Sequence, residues 1–448
     1  MRQLLKAIRD NKKLSFFDIG SGNKKTFAEF RPIHFLNQHP KDIIFLYLDN
    51  GINSIELFFM CFDTHHILVL LSKELSLSFK QNLENLYTPA FIYDATRKSI
   101  SDYHKQDILF TRNEFISKNI DPRIKIMLST SGTTGSSKFV KLSEENIYNN
   151  ALSILDYMPV KDTDVTPINL PIYYSYGLSV LTTNAIKGGQ IICGVKNILS
   201  KSFWINFQEY GFTSLAGVPY TYELLNQIGF TKKRYPTLRY MTQAGGKLNE
   251  QLLKIFQQYS ISNNMDFFVM YGQTEATARM SYLNITTHIN KIGSVGKAIL
   301  NGKFLIDEIS NELIYEGPNV YGGYAESISD ITSYRKDCPL HTGDLAEFDD
   351  EGFIYIVGRI NRFVKILGLR ISLDEIENIL KDNFLGASFA CLGKEDKYLL
   401  IYSTKAEQED VIKFLEDYFK IDHCFIQYKH INEVPLSPNG KIEYKKFD

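Results

Sequence analysis

Short uninterrupted apolar runs alternate along the chain with stretches whose apolar positions recur every three or four residues. The runs 43–47, 67–71 and 124–128 read as strands buried on both faces, and helical patterns follow them at 54–62, 75–86 and 144–158. Such alternation predicts βα units and a largely parallel sheet. It continues through 190–193, 238–242 followed by the helical pattern 249–259, and 267–271, so the first part of the chain is expected to be one large α/β body. After about residue 300 the texture changes to Gly-punctuated strands such as 312–315 and 353–357, suited to antiparallel ribbons in a smaller β-rich layer. From Arg359 the order becomes helix (373–380), paired strands (388–392 and 398–403), helix (408–419) and a final strand, a small α+β unit. The fold class expected is therefore α/β, with residues 1–359 as a large N-terminal domain and 360–448 as a small C-terminal one. No internal repeat or low-complexity tract interrupts this plan.

Composition narrows the function classes. A chain of 448 residues, 44% hydrophobic, can bury a real core in each of two or three domains. Fifty basic against 51 acidic side chains leave a formal charge of −1, which proposes neither a nucleic acid nor an anionic membrane as partner. Cys61, Cys193, Cys338, Cys391 and Cys424 are scattered without a CxxC pair and read as reduced, mostly buried thiols. The first 18 residues lack the apolar core of a signal peptide, and the most apolar stretch, 57–71, is broken by Asp63, His65 and His66. No membrane span and a cytoplasmic location are expected.

The segment from Leu128 to Lys138, Leu-Ser-Thr-Ser-Gly-Thr-Thr-Gly-Ser-Ser-Lys, follows an expected strand and precedes an expected helix. Gly132 and Gly135 free the backbone to turn N–H groups inward. Thr130, Ser131, Thr133 and Thr134 offer hydroxyl donors and Lys138 a compact positive charge, the groups needed to hold phosphate oxygens. The spacing is not that of a P-loop, since Ser137 stands where Gly is needed and Phe139 where Ser or Thr is needed. Taken alone, the segment reads equally as an ordinary Gly/Ser/Thr surface loop.

It does not stand alone. Downstream come Leu170-Pro-Ile-Tyr-Tyr-Ser-Tyr-Gly-Leu178, Gln243-Ala-Gly-Gly246, Tyr271-Gly-Gln-Thr-Glu275, Gly293-Ser-Val-Gly296, His341-Thr-Gly-Asp344, Gly358-Arg359, Lys365-Ile-Leu-Gly-Leu-Arg370 and Pro435-Leu-Ser-Pro-Asn-Gly-Lys441. This ordered set resembles the motifs of the adenylate-forming superfamily, which includes acyl-CoA synthetases, aryl-acid ligases, peptide-synthetase adenylation domains and firefly luciferase. The resemblance implies a two-step ligase. A carboxylate attacks the α-phosphorus of ATP to give acyl-AMP and pyrophosphate, and a thiol then takes the acyl group.

The same resemblance assigns roles. Lys441, which in isolation reads as a solvated charge in a Pro- and Gly-rich turn, becomes the catalytic lysine delivered by the small domain. Glu275 holds Mg²⁺, Thr274 reaches the α-phosphate, and Lys138 with residues 130–135 cradles phosphate. Tyr271 and Gly272 flank adenine with Gly245 and Gly246, while Asp344 binds the ribose hydroxyls with Arg359 assisting. Asn361, at the pivot position, serves as the hinge about which the small domain rotates between the two steps, with Arg362 after it in place of the family's usual Asp. Tyr174, Tyr176, Tyr220, Ala244 and Met280 line the acyl pocket, each with core packing as its plainer alternative. Amino-acid-activating relatives carry an aspartate where Tyr174 stands, so a small carboxylic acid without an α-amine is expected. The acceptor is coenzyme A or the phosphopantetheine of an acyl or peptidyl carrier protein. Two further readings stay open at this point: a non-thiol acceptor, and a catalytically silent scaffold of the same fold.

Overall fold

The computed structural model describes residues 3–129, 138–335, 339–360, 362–366, 369–394, 398–419, 421–437 and 441–447, without the side chains of residues 363, 365, 369, 370 and 445. The apolar runs seen in the sequence form the centre of an eight-stranded sheet. Its strands lie in the order Tyr324–Ala325, Phe139–Leu142, Ile126–Ser129, Ile67–Ser72, Ile43–Leu48, Phe91–Asp94, Leu109–Arg112 and Tyr103–Gln106. The four strands from Ile126–Ser129 to Phe91–Asp94 are parallel. Ile43–Leu48 is buried at every position, as a parallel strand covered on both faces must be.

What the sequence presented as one α/β body divides into several sheets. A five-stranded sheet runs Ser214–Gly217, Tyr240–Gln243, Asp266–Tyr271, Ser281–Asn284 and Lys297–Ala298, the first three parallel and the rest antiparallel. A four-stranded sheet pairs Ser15–Asp18 with Gln190–Cys193, a contact between the beginning of the chain and its middle that no local pattern announces. A third layer, the antiparallel ribbon expected after residue 300, consists of Lys303–Ile306, Glu312–Glu316, Leu340–Phe348 and Ile354–Arg359. Helix limits moved by a few residues where caps decide them. Ser76 accepts a hydrogen bond from the Phe79 N–H and starts Leu77–Tyr87. Asn249 accepts from Gln251 and Leu252 and starts Glu250–Ser262.

Residues beyond Arg359 build a separate core. A hairpin, Phe363–Ile366 with Leu369–Ser372, leads into the helix Leu373–Asn383 and a three-stranded sheet of Phe389–Lys394, Tyr398–Ser403 and Ile426–His430. Val364, Ile376, Leu380, Phe389, Leu399, Ile401, Val411 and Leu415 pack together there without joining the core of the larger part. Asn249 of the large part donates to Asp382 of the small one. Cys61, Cys193 and Cys391 are buried and Cys424 is exposed, while Cys338 lies outside the described residues. Among the described residues no helix is long and apolar enough to cross a membrane.

Leu46 sits fully buried in the middle of the eight-stranded sheet. Leu46→Ala is expected to destabilise the large part by about 2–5 kcal/mol, read as a lower urea midpoint by tryptophan fluorescence, because Trp204, the chain's single tryptophan, belongs to that part.

Candidate active site

Four of the expected site residues, Tyr271, Gly272, Thr274 and Glu275, sit at or just beyond the end of one parallel strand. Asp266–Tyr271 finishes in Tyr271, and the chain then turns through Gly272 into a single 3-10 turn, Thr274–Ala276. A β-carbon at Gly272 would fall 2.1 Å from the Ala278 carbonyl oxygen, so only glycine allows this turn to fold back on itself. Two non-glycine residues in the same loop, Thr277 at φ 56° and Ala278 at φ 108°, occupy the left-handed half of the map. Strain of this kind persists where the surroundings fix it, and here it sets where the flanking side chains point.

Tyr271 donates to Asp344 Oδ2 at 2.5 Å, and burial together with that carboxylate pushes its phenol well above the ordinary range. Asp344 belongs to the ribbon. It lies directly across from Arg359 in strand register, and Arg359 Nε donates to its Oδ1 at 3.0 Å. Glu275 is almost fully buried and accepts from the Tyr324 hydroxyl at 2.9 Å through Oε1. The Lys138 ammonium sits 3.8 Å from the centre of the same Tyr324 ring and pairs with Glu326 at 3.3 Å. Thr274 Oγ1 lies 3.4 Å from Ser175 Oγ, at the start of the helix Ser175–Lys187.

Lys441 comes to this cluster from the small domain. Its backbone is pinned by a hydrogen bond from its N–H to Ser437 Oγ at 3.2 Å and by the Ser437 N–H donating to its carbonyl at 2.7 Å. Its ammonium is pushed down to about 8, first by burial and then by Arg359, against the opposing pull of Glu275 and Asp344. A cation is thereby held near two carboxylates and one guanidinium contributed by three separate segments.

The small domain carries a second charged cluster just past the hinge position. Arg362 lies 2.7 Å from Asp374 and from Glu377, and its guanidinium covers the Tyr444 ring at 3.7 Å. Tyr444 donates to Glu377 Oε2 at 2.8 Å. Arg362 therefore belongs to the small domain's own core and moves with it. Asn361 lies outside the described residues, as do residues 130–135 of the phosphate-loop reading.

The acyl-pocket residues part company. Tyr176 borders a narrow cleft of about 30 Å³ between the helices Glu144–Tyr157 and Ser175–Lys187 and the strands of the five-stranded sheet. Its hydroxyl donates to the Thr242 carbonyl at 3.0 Å and lies 2.8 Å from Thr242 Oγ1. Ala244 packs beside Tyr176 in the adjoining cluster of Tyr240, Phe268 and Met270. Tyr174 stands one residue before the helix, its ring 4.8 Å from that of Tyr173. Tyr220 is 40% exposed on Pro219–Gln227. Met280 does not border the cleft: it packs under the ribbon with Ala276, Phe304 and Leu313. Neighbouring residues of an extended segment face opposite sides, and the side chain that borders the cleft is that of Arg279.

Sequence reasoning passed over Arg279 and Tyr324. A charged residue inside the otherwise small and apolar stretch 278–283 was the available signal for the first. The second has none, because its partner Glu275 is 49 positions away. Gly245, at φ 89°, and Gly246 lie beyond the strand Tyr240–Gln243, with Gln243 donating to the Gly246 carbonyl at 2.8 Å.

A magnesium ion suits what Glu275 leaves available. One carboxylate oxygen accepts from Tyr324, and the other takes no hydrogen bond from any described residue, leaving a hard oxygen donor beside Thr274.

Comparison with known proteins gives the geometry its family. The family model described as AMP-binding enzyme matches residues 34–325, more than half of the chain. A 2-succinylbenzoate–CoA ligase of Staphylococcus epidermidis is 26% identical over 440 residues, covering 94% of this chain and 90% of the relative. A 2-succinylbenzoate–CoA ligase of Bacillus cytotoxicus is 27% identical over 311 residues, covering 65% and 63%. In three dimensions the chain is similar to o-succinylbenzoate CoA synthetase from Bacillus subtilis in complex with its acyl-adenylate intermediate, at a TM-score of 0.77, 17% identity and coverage of 100% and 98%. It is also similar to ATP-bound MatB from Rhodopseudomonas palustris, at a TM-score of 0.79, 18% identity and the same coverage. By its match to the family model over more than half of its length, the chain belongs to the AMP-binding enzymes of the adenylate-forming superfamily, and it is an ATP-dependent acid–thiol ligase.

Proposed function

We propose that this chain is an acid–coenzyme A ligase acting in the cytoplasm, in which Lys441 drives the first step and leaves the site for the second. The observation that carries this reading is that half-buried Lys441 comes within the electrostatic reach of Glu275, Asp344 and Arg359. A substrate carboxylate and ATP are both anions. Their reaction requires positive charge where the pentacoordinate α-phosphorus forms, and a fixed, partly dehydrated ammonium supplies it at low reorganisation cost. One carboxylate oxygen bonds to the α-phosphorus, the bond to the bridging oxygen breaks, and pyrophosphate departs with the electron pair. Thr274, Lys138 and residues 130–135 donate to the phosphate oxygens. Asp344, already aimed by Tyr271 and Arg359, accepts from the ribose hydroxyls, and Tyr271 with Gly245, Gly246 and Gly272 borders the adenine. Glu275 would hold Mg²⁺, which would supply positive charge toward the phosphate oxygens.

For the thioester step the sulfur attacks the acyl carbon and AMP leaves. Rotation about Asn361 withdraws Lys441 and presents the hairpin containing Lys365 and Arg370. Tyr174, Tyr176, Ala244 and Arg279 border the path of the acyl group, with Tyr220 at its exposed rim. The acid named for the Staphylococcus and Bacillus relatives, 2-succinylbenzoate, is the first to assay.

The test is acid-dependent exchange of labelled pyrophosphate into ATP over a panel of acids. Lys441→Ala is expected to lower exchange by at least about 100-fold, equivalent to roughly 2.7 kcal/mol of transition-state stabilisation, while thioester formation from preformed acyl-AMP stays within a few-fold. Equal loss in both steps would remove the lysine from its assigned role, and exchange with no acid would end the ligase reading. Adding coenzyme A or a phosphopantetheinylated carrier protein to preformed acyl-AMP identifies the acceptor, and thioester is expected on coenzyme A.

The pH dependence has a definite sign. Lys441 acts as a cation, and its folded value is lowered to about 8, so the active form is lost as pH rises through that value. The adenylation kcat/KM is expected to fall with an inflection near pH 8. The kcat profile should bend at higher pH, because bound triphosphate stabilises the ammonium.

A further inference from the structure

Tyr324 stands between two groups that the phosphate chemistry needs from different parts of the chain. Its hydroxyl donates to Glu275 Oε1 at 2.9 Å, and the Lys138 ammonium lies over its ring, 3.8 Å from the centre. Its backbone is fixed toward both. Tyr324–Ala325 pairs antiparallel with Phe139–Leu142, the strand that begins one residue after Lys138, and Tyr324 lies opposite Val140. On the other side the Tyr321 N–H donates to the Glu275 carbonyl at 2.8 Å, and the Tyr321 ring meets the Tyr324 ring edge-on at 5.0 Å. The hydroxyl of fully buried Tyr87 donates to the Ala325 carbonyl at 2.9 Å. The phenol is thus carried on a short segment clamped from both sides.

A cation over the ring and a carboxylate at the hydroxyl are not by themselves a functional arrangement. Tyr47, with Lys80 over its ring and Glu84 at its hydroxyl, and Tyr444, with Arg362 and Glu377, have the same kind of neighbours. In both of those the carboxylate also meets a cation directly, Glu84 pairing with Arg97 and Glu377 with Arg362. Glu275 differs. It is buried at 9% exposure, and among the described residues it makes no ion pair with a lysine or arginine. A buried carboxylate of this kind favours a cation brought by a ligand. The phenol restricts rotation at the end of the Glu275 side chain by holding Oε1, so Oε2 keeps one direction. The ammonium over the ring draws electron density from the phenol and makes its O–H a stronger donor.

We propose that Tyr324 is a positioning residue for the metal–triphosphate complex: its hydroxyl orients Glu275 for Mg²⁺ and its ring seats the Lys138 ammonium, so that one side chain places both charges. It acts through Glu275 and Lys138 rather than on the reacting atoms. The proposal rests on the reading of Glu275 as the magnesium ligand and goes beyond it by naming what aims that ligand. Oε1 is held by the phenol, which leaves Oε2 for the ion. Outer partners of this kind set the orientation of a metal-binding carboxylate, and losing one typically costs about 10–100-fold in metal affinity.

The experiment is titration calorimetry of the full chain with α,β-methylene-ATP, whose bridging carbon prevents departure of the leaving group, in excess Mg²⁺ and again in EDTA. The ratio of the two dissociation constants reads the magnesium-dependent part of binding and needs no turnover. Tyr324→Phe keeps the ring, and it is expected to cut the wild-type ratio by about tenfold or more while binding in EDTA stays within about twofold. Tyr324→Leu loses ring and hydroxyl. It is expected to lower the ratio as far and also to weaken binding in EDTA by about threefold or more. Both substitutions test the ratio, so either one decides if the other does not fold. A wild-type ratio in Tyr324→Phe or Tyr324→Leu overturns the proposal, as does Tyr324→Leu binding in EDTA like the wild type. Glu275→Gln separates this failure from that of the parent reading. If the wild-type ratio persists in Glu275→Gln, the glutamate is not the magnesium ligand and the proposal falls with it. A reduced ratio there beside an unchanged one in Tyr324→Phe removes the role of Tyr324 alone.

Discussion

A lysine ammonium withdrawn from water must be offset by nearby negative charge or lose its proton, and Lys441 stands at that balance. Burial and Arg359 act to discharge it, while Glu275 and Asp344 act to keep it charged. None of these four residues is sufficient alone. Glu275 comes from a turn after a parallel strand, Asp344 and Arg359 from facing positions in an antiparallel ribbon, and Lys441 from the small domain. The large α/β part, the ribbon and the small domain must therefore all be in place before these four charged groups meet. A site assembled this way is also one that a single domain movement can dismantle.

The nine residues from Tyr271 to Arg279 link two parts of the structure. Tyr271 donates to Asp344, Thr274 and Glu275 lie buried in the turn after the strand, and Arg279 borders the narrow cleft. Such economy depends on a tight reversal that Gly272 permits sterically and that Thr277 and Ala278 complete in unfavourable backbone conformations. The backing is extensive. Asn319 donates to the carbonyls of Ala276 and Arg279 at 2.7 Å each, and Asn150 donates to the Arg279 carbonyl at 3.1 Å. Buried amide side chains thus fix the loop from outside, and the strain is held by the surrounding fold.

In the small domain, Arg362, Glu377 and Tyr444 join three remote segments through an ion pair, a hydrogen bond and a cation–π contact. Tyr444 is three positions from Lys441. Arg362 is consequently tied to the segment that carries Lys441, so the two belong to one packed unit. An aspartate at position 362 could not pair with Asp374 and Glu377, so the departure from the family's usual residue has a local electrostatic reason.

Much of this chain could be read without its structure. The βα alternation, the ribbon after residue 300, the small α+β domain and the ordered motifs all rest on local signals: hydrophobic period, turn residues, and glycines where backbone must approach backbone. The resemblance carried by the ordered motifs assigned Tyr271, Thr274, Glu275, Asp344, Arg359 and Lys441 to one site, and the family match agrees with that superfamily. What lay beyond them depends on long-range contacts. The pairing of Ser15–Asp18 with Gln190–Cys193, the bond from Tyr324 to Glu275, and the lowered proton affinity of Lys441 each require residues far apart in sequence to meet. The choice between Arg279 and Met280 was the finest of these. Sequence put Met280 in the acyl pocket and passed over Arg279, but which of two neighbouring side chains faces the cleft is set by the strained turn before them, and only the tertiary structure fixes that turn.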